Sequence, residues 1–275
     1  MPITSDLGGK NYTLGRGRVF IDRFAQSVVA AGITAASVGT GERYVGNTPE
    51  FNTTSAGEDL DHFDSDSGIR VKDASVQLQL DRTGAFTCDN IDRDNLAMLL
   101  LGDASTITQV AATGLTYQVT VKRGMFYQLG ASPSLPSGVR LVATVTCGKG
   151  SGFSTAVTAT NNFEVDETLG RVYILPNAPD IPNDTLVQFT FATVASTRSQ
   201  IVSSSNSIYA AVRFVANNPT GVNRDYYLPY VKIAPDGDYN LKGDDWQTMS
   251  FTFEILNKAS NMQAIYVDDR PVATV

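Results

Sequence analysis

The stretch DLDHFDSDSGIRVKD, residues 59–73, gathers Asp59, Asp61, Asp64, Asp66 and Asp73 around His62, the only histidine of the chain. Oxygen ligands beside an imidazole could hold a divalent cation or supply a general acid and base, so each chemistry was tested against its spacing. An EF-hand loop opening at Asp59 has Asp61 in the third position. It has Phe63 in the fifth, Asp64 where glycine belongs, and Arg70 where a bidentate carboxylate must close the site, so the motif fails. Zinc needs three or four His, Cys or acidic ligands, and both cysteines, Cys88 and Cys147, lie far from His62 in sequence. A hydrolase triad needs a nucleophile for its histidine, and the sequence contains no GxSxG elbow. The glycines of LGRGR lack the GxGxxG frame, and no phosphate-loop motif is present. Carboxylate pairs are available throughout the chain, but no feature singles one out. The expectation is a non-enzymatic protein without metal or cofactor, and a solvated turn at 59–73 balanced by Arg70 and Lys72.

A second cluster lies in NRDYYLPYVKIAPDGDYNLKGDDW. Arg224, Tyr226, Tyr227, Tyr230 and Trp246 crowd there with Tyr239, Lys232 and Lys242. Basic residues interleaved with aromatics can bind single-stranded nucleic acid. Here Asp225, Asp236, Asp238, Asp244 and Asp245 outnumber the bases, which favours a protein–protein interface instead.

The elements that must carry these clusters are strands. The chain has 275 residues, 42% hydrophobic and 18% charged, with a formal net charge of −7. It can bury a large core, and its charge disfavours any surface meant to grip phosphates by electrostatics. Two unrelated cysteines make no disulfide framework; they suit a reducing compartment and are expected as small buried residues. The N-terminal sequence lacks the apolar region of a secretory signal. The most apolar long stretch, from Phe24 to Gly39, is too short and polar to span a bilayer.

The dominant period is two. SVQLQLDR places Val76, Leu78 and Leu80 on one face, expected to be inward; QTMSFTFEIL does the same with Met249, Phe251, Phe253 and Ile255. Further strands are expected at Arg18–Phe24, Tyr117–Val121, Gly138–Cys147, Arg171–Leu175 and Thr185–Phe191, and NNFEVDETLGRVYIL reads as a hairpin. One helix is expected, about 92–101, with Asp92 as N-cap, Gly102 as stop, and Leu96, Leu99 and Leu100 as its apolar stripe. Composition shifts between about Phe126 and Ala195, where aromatic and charged residues thin out. An inserted β module at 126–195 is therefore expected within a discontinuous core of 1–125 and 196–275.

Four phrases resemble the tail tube (major tail) proteins of long-tailed, non-contractile bacteriophages. They are LGRGRVFIDRF, GERYVGNTPEFNTTSAGEDLDHFDSDSGIRVKD, VQLQLDRTGAFTCDNIDRDNLAMLLLGD and RFVANNPTGVNRDYYLPYVKIAPDGDYNLKGDDWQTMSFTFEIL. The resemblance covers most of the core and fades across 126–195, as for a variable module on a tube exterior. It implies a mostly β fold of two packed antiparallel sheets, a flattened barrel or sandwich with one flanking helix. It also implies hexameric rings stacked into a hollow tube in the virion tail, built in the host bacterial cytoplasm. Its partners would be other copies of itself, a tape-measure protein during assembly, and the tail terminator and distal tail proteins. Double-stranded DNA would pass through without specific binding, repelled by acids facing the channel, and no membrane is involved. By the same resemblance, residues 59–73 become an inter-ring loop, mobile in the free subunit and ordered on stacking. The alternative is a β-sandwich adhesin or glycan-binding module of a virion or cell surface, which would explain the aromatic cluster at Tyr226–Trp246 without polymerisation. The segments before Gly15 and after Asn257 are expected as arms or loosely ordered ends.

Overall fold

The structure, a computed structural model, describes residues 12–66 and 68–270; residues 1–11 and 271–275 of the segments expected as arms, and residue 67 of the expected inter-ring loop, lie outside them. The chain is mostly β. It opens with β1 (Gly17–Arg23), a short helix α1 (Gln26–Ala31), β2 (Arg43–Tyr44), β3 (Glu50–Asp64), β4 (Val71–Cys88) and the helix α2 (Arg93–Leu99). Next come β5 (Asp103–Gln109), β6 (Ala112–Val121), β7 (Phe126–Gln128), β8 (Val142–Lys149), β9 (Thr155–Val157), β10 (Phe163–Asp166), β11 (Arg171–Ile174), β12 (Thr185–Thr193) and β13 (Ser196–Val202). It closes with β14 (Ile208–Ala216), β15 (Arg224–Asp236), β16 (Met249–Ile255) and β17 (Tyr266–Asp269). No helix among the described residues is long and apolar enough to cross a membrane.

Two compact units result: residues up to 104 with those from 201 onward, and residues 105–200. The second unit reaches beyond the 126–195 stretch marked by composition. It takes in β6, which pairs along β12 from Val121↔Thr185 to Leu115↔Phe191. A composition shift reports surface chemistry, whereas the unit boundary follows strand pairing.

In the first unit one antiparallel eight-stranded sheet runs β2-β1-β14-β15-β16-β4-β3, with β17 added beside β15. Its two ends do not pair, so the sheet curls without closing into the barrel that the resemblance implies. The curl is visible in the aromatics. Phe51 on β3 stacks on Phe214 of β14 (ring centroids 5.6 Å) and on Phe253 of β16 (5.7 Å), although four steps of strand order separate β3 from β14. Gly84 permits this approach, since a Cβ there would strike the Phe253 ring and the Asn52 carbonyl. The expected alternation on β16 holds: Met249, Phe251, Phe253 and Ile255 are buried, while Thr252 and Glu254 are exposed.

Asp92 caps α2 as expected, its Oδ1 accepting from the Asn95 N–H (2.7 Å), a contact worth about 1 kcal/mol in comparable helices. The face that packs differs from the leucine stripe. Asn95, Ala97 and Met98 are buried, Leu96 and Leu99 partly so, and Leu100 is exposed. Asn95 turns inward because its polar ends are all satisfied there. Its Nδ2 donates to the carbonyls of Val45 (2.7 Å) and Asn90 (2.9 Å), and its Oδ1 accepts from Arg43 Nη2 (2.6 Å). The helix stop also differs from the expected one. Leu101, not Gly102, takes the left-handed conformation (φ 51°), while the Gly102 N–H bonds back to the Ala97 carbonyl (2.8 Å), closing the helix in a Schellman pattern. Gly102 is needed because the Val202 carbonyl lies against it. The short α1 has no side-chain cap and no buried residue, so it carried no sequence signal.

The second unit is a small sandwich. Sheet β10-β11-β7 faces sheet β6-β12-β8-β9 across a core that includes Phe163, Val172, Ile174, Val187 and Phe189. The expected hairpin is present in the register Phe163↔Ile174 and Val165↔Val172. Cys88 and Cys147 are free and buried, one in each unit, and burial raises both thiols to about 11, leaving them inert as nucleophiles at neutral pH.

Candidate functional site

Residues 59–64 and 71–73 are strand rather than loop. They lie in the outer half of a two-stranded ribbon in which β3 pairs β4 from Glu50↔Thr87 out to Asp64↔Val71. Every described residue from 52 to 81 is exposed. The ribbon therefore leaves the core near Gly84 and continues into solvent with only itself as partner. Isolated two-stranded ribbons are marginal in water, so cross-strand contacts must hold this one.

The charged residues supply those contacts. His62 Nδ1 lies 2.6 Å from Asp73 Oδ1, and Asp61 pairs with Lys72 Nζ (2.5 Å) while accepting from Ser75 Oγ (2.7 Å). The hydrogen bonds from Lys72 and then Ser75 hold the Asp61 carboxyl below its usual range. Arg70 lies over the Phe63 ring, 5.4 Å from its centroid, and Asp64 accepts the Asp66 N–H (2.9 Å). Asp59 stands opposite Gln77. His62, Asp73 and Asp61 are thus occupied in fastening strand to strand. Among the described residues no group of three or more His, Cys, Asp or Glu side chains is placed to hold a metal ion.

The ribbon also overturns the expected burial of Val76, Leu78 and Leu80. They are 61%, 60% and 45% exposed, as are Leu60 (62%) and Val71 (59%). Leu60 and Val76 face each other in register, and bulges at Leu78 and Asp73 break the strict alternation. An exposed ribbon of this apolar content is unusual for a free-standing surface.

The aromatic cluster is dispersed rather than assembled. Tyr226, Tyr227 and Tyr230 lie on β15 and are spent within the first unit. Tyr226 meets Phe214 edge-on (6.1 Å), Tyr227 lies under Arg213 (4.4 Å), and Tyr230 stacks on Tyr209 (5.4 Å). Arg224 pairs with Asp269 of β17 (3.0 Å). Only Trp246, 94% exposed, stands free to meet a partner. Adjacency in sequence misled here, because a strand sends neighbouring side chains to opposite faces.

The end of the described chain is fastened by β17, which pairs the first residues of β15 from Arg224↔Asp269 to Tyr227↔Tyr266. Arg270 grips Asp225 through Nε (3.3 Å) and Nη2 (3.1 Å) and donates to the Ala216 carbonyl, while Asp225 also accepts the Ala216 N–H (2.9 Å). The Arg270 hydrogen bond leads in holding the Asp225 carboxyl below its usual range. A depressed carboxyl stabilises the fold above its unfolded pKa and loses that contribution as pH falls through the folded value. Amide hydrogen exchange, corrected for intrinsic rates, is therefore expected to show β17 losing protection below the ordinary carboxylate range, ahead of β16. Equal protection of β17 and β16 down the acid limb would show that the Asp225–Arg270 pair does not hold the strand.

A family model described as protein of unknown function UCP028589 matches residues 12–265. No curated protein matches the chain.

Proposed function

The chain belongs to that family of unknown function, and we propose that within it this protein is a structural, non-enzymatic subunit of a bacteriophage tail tube. Copies close into six-membered rings, and rings stack into a hollow conduit for double-stranded DNA, assembled around a tape-measure protein and bounded by terminator and distal tail proteins. Its place is the virion tail, after synthesis in the bacterial cytoplasm. The observation that carries this reading is the ribbon β3–β4: projecting from the core, internally ion-paired, and bearing Leu60, Val71, Val76 and Leu78 in water. The resemblance of the core phrases supplies the architecture into which such an arm fits. Open sheet ends are also consistent with pairing between copies, which removes a free edge and closes a cyclic contact.

Negative-stain electron microscopy beside size-exclusion light scattering, on concentrated purified protein, tests the proposal. Six-fold rings or hollow tubes are the expected result. A protein that stays monomeric at high concentration and binds a glycan array would move the assignment to the adhesin reading, for which the exposed Trp246 is the natural stacking surface.

A further inference from the structure

Three arginines of the second unit, Arg140, Arg171 and Arg198, lie around the turn at 137–139. Arg140 Nη1 donates to the carbonyls of Ser137 (2.6 Å) and Val139 (3.1 Å). Arg198 Nη2 reaches the same turn, donating to the Gly138 carbonyl (2.7 Å) and Ser137 Oγ (3.3 Å). Arg171 stands opposite Gln128 in register, and the Gln128 amide donates to the Val139 carbonyl that Arg140 also uses (2.9 Å). The backbone of Arg140 is pinned in turn by Gln109, whose side chain accepts its N–H and donates to its carbonyl. The cluster is thus built, not left to flexible surface chains.

Its charge is not neutralised from within. Among the described residues none of the three forms an ion pair, although ten such pairs occur elsewhere in an acidic chain. Asp166, the cross-strand partner of Arg171, accepts the Leu169 N–H and forms no ion pair with Arg171 among the described residues. Burial, followed by the charges of Arg198 and Arg171, lowers the Arg140 pKa, and a guanidinium stays protonated regardless. Much of the donor capacity is unused. Among the described residues, Arg140 Nε and Nη2 and Arg198 Nε and Nη1 make no hydrogen bond, and the Arg171 side chain donates none and rests on the Phe126 ring (4.6 Å). All three side chains retain access to solvent.

We propose that Arg140, Arg171 and Arg198 form a binding site for a phosphoryl group, free or carried on a polymer. Planar forks with paired free donors match the oxygens of a phosphate, and a multiply charged anion relieves the mutual repulsion of three guanidiniums better than a single carboxylate does. The site is local and small, so it does not conflict with the acidic net charge, and it stands whether or not the chain builds a tube.

Isothermal titration calorimetry of the full chain with inorganic phosphate, at constant ionic strength, tests it. Saturable binding at one site is expected, weakened about tenfold or more by Arg171→Gln, the loss that follows from removing a charge-assisted hydrogen bond. Arg171→Gln is the informative variant because it removes no hydrogen bond of the fold; Arg198→Gln should weaken binding likewise, with circular dichroism confirming that the turn change has not unfolded the unit. A polyphosphate arm distinguishes the sources. Binding more than tenfold tighter than phosphate identifies a polymer as the occupant, and equal affinity per site identifies the free ion. No saturable heat with phosphate or polyphosphate, or affinities unchanged in both variants, would overturn the site.

Discussion

Excising residues 58–79 and joining Gly57 to Leu80 through an Asn-Gly turn is expected to leave a folded subunit that no longer stacks into tubes. Gly57 and Leu80 are register partners, so a two-residue turn of the type that Asn-Gly favours closes the ribbon without shifting its inner pairs. Every described residue removed is exposed, and the core of the first unit, including Phe51, Phe86 and Phe253, lies inward of the cut. Thermal unfolding should therefore change little, while hollow tubes disappear from micrographs and light scattering shows no species larger than a single ring. Tube assembly at the normal concentration by the shortened chain would sink the ribbon as the stacking arm, even with the tube reading itself intact. A subtler version replaces Leu60 and Val76 together with serine. The cross-strand ladder and the His62–Asp73 and Asp61–Lys72 pairs remain, so loss of tubes there would assign the contact to the apolar pair and not to the ribbon's charge.

The largest stability effect is expected at Phe251. Its side chain is fully buried, stacks on Phe86 (ring centroids 4.9 Å), and sits on β16 between β15 and β4. Phe251→Ala removes the ring from a site whose neighbours are fixed by strand register and cannot collapse into the space, so it should cost about 3–5 kcal/mol. The next residue is the control: Thr252 is exposed on the opposite face, and Thr252→Ala should fall within about 0.5 kcal/mol. Urea denaturation followed by the first unit's signal measures both. A loss below about 1 kcal/mol at Phe251 would show that the curled sheet does not share one cooperative core there.

The contrast between β16 and β4 marks how far the sequence reaches. Met249, Phe251, Phe253 and Ile255 alternate as Val76, Leu78 and Leu80 do, and both patterns read as half-buried strands. The first set is buried and the second exposed. Periodicity states which side chains share a face; it does not state whether anything covers that face. Coverage follows from strand order and curl: β16 is flanked by β15 and β4 and roofed by the aromatics of the folded sheet, whereas the outer half of β4 has only β3 beside it. Likewise Asp92 announced its capping role through local spacing alone, while the burial of Asn95 depended on Val45, Asn90 and Arg43 arriving from distant positions.

The same division runs through the candidate sites. The sequence by itself determined the mostly β class, the one capped helix, the 163–174 hairpin and the failure of residues 59–73 as an EF-hand. It could not convert the acid cluster into a ribbon fastened by its own charges, because the partners of Asp61 and His62 are set by a register with two bulges. It also held no sign of the arginine convergence, since Arg140, Arg171 and Arg198 come from separate stretches of chain. Local rules act over a few residues, and only the tertiary pairing of β7, β11 and the turn at Ser137–Val139 brings those three charges to one place.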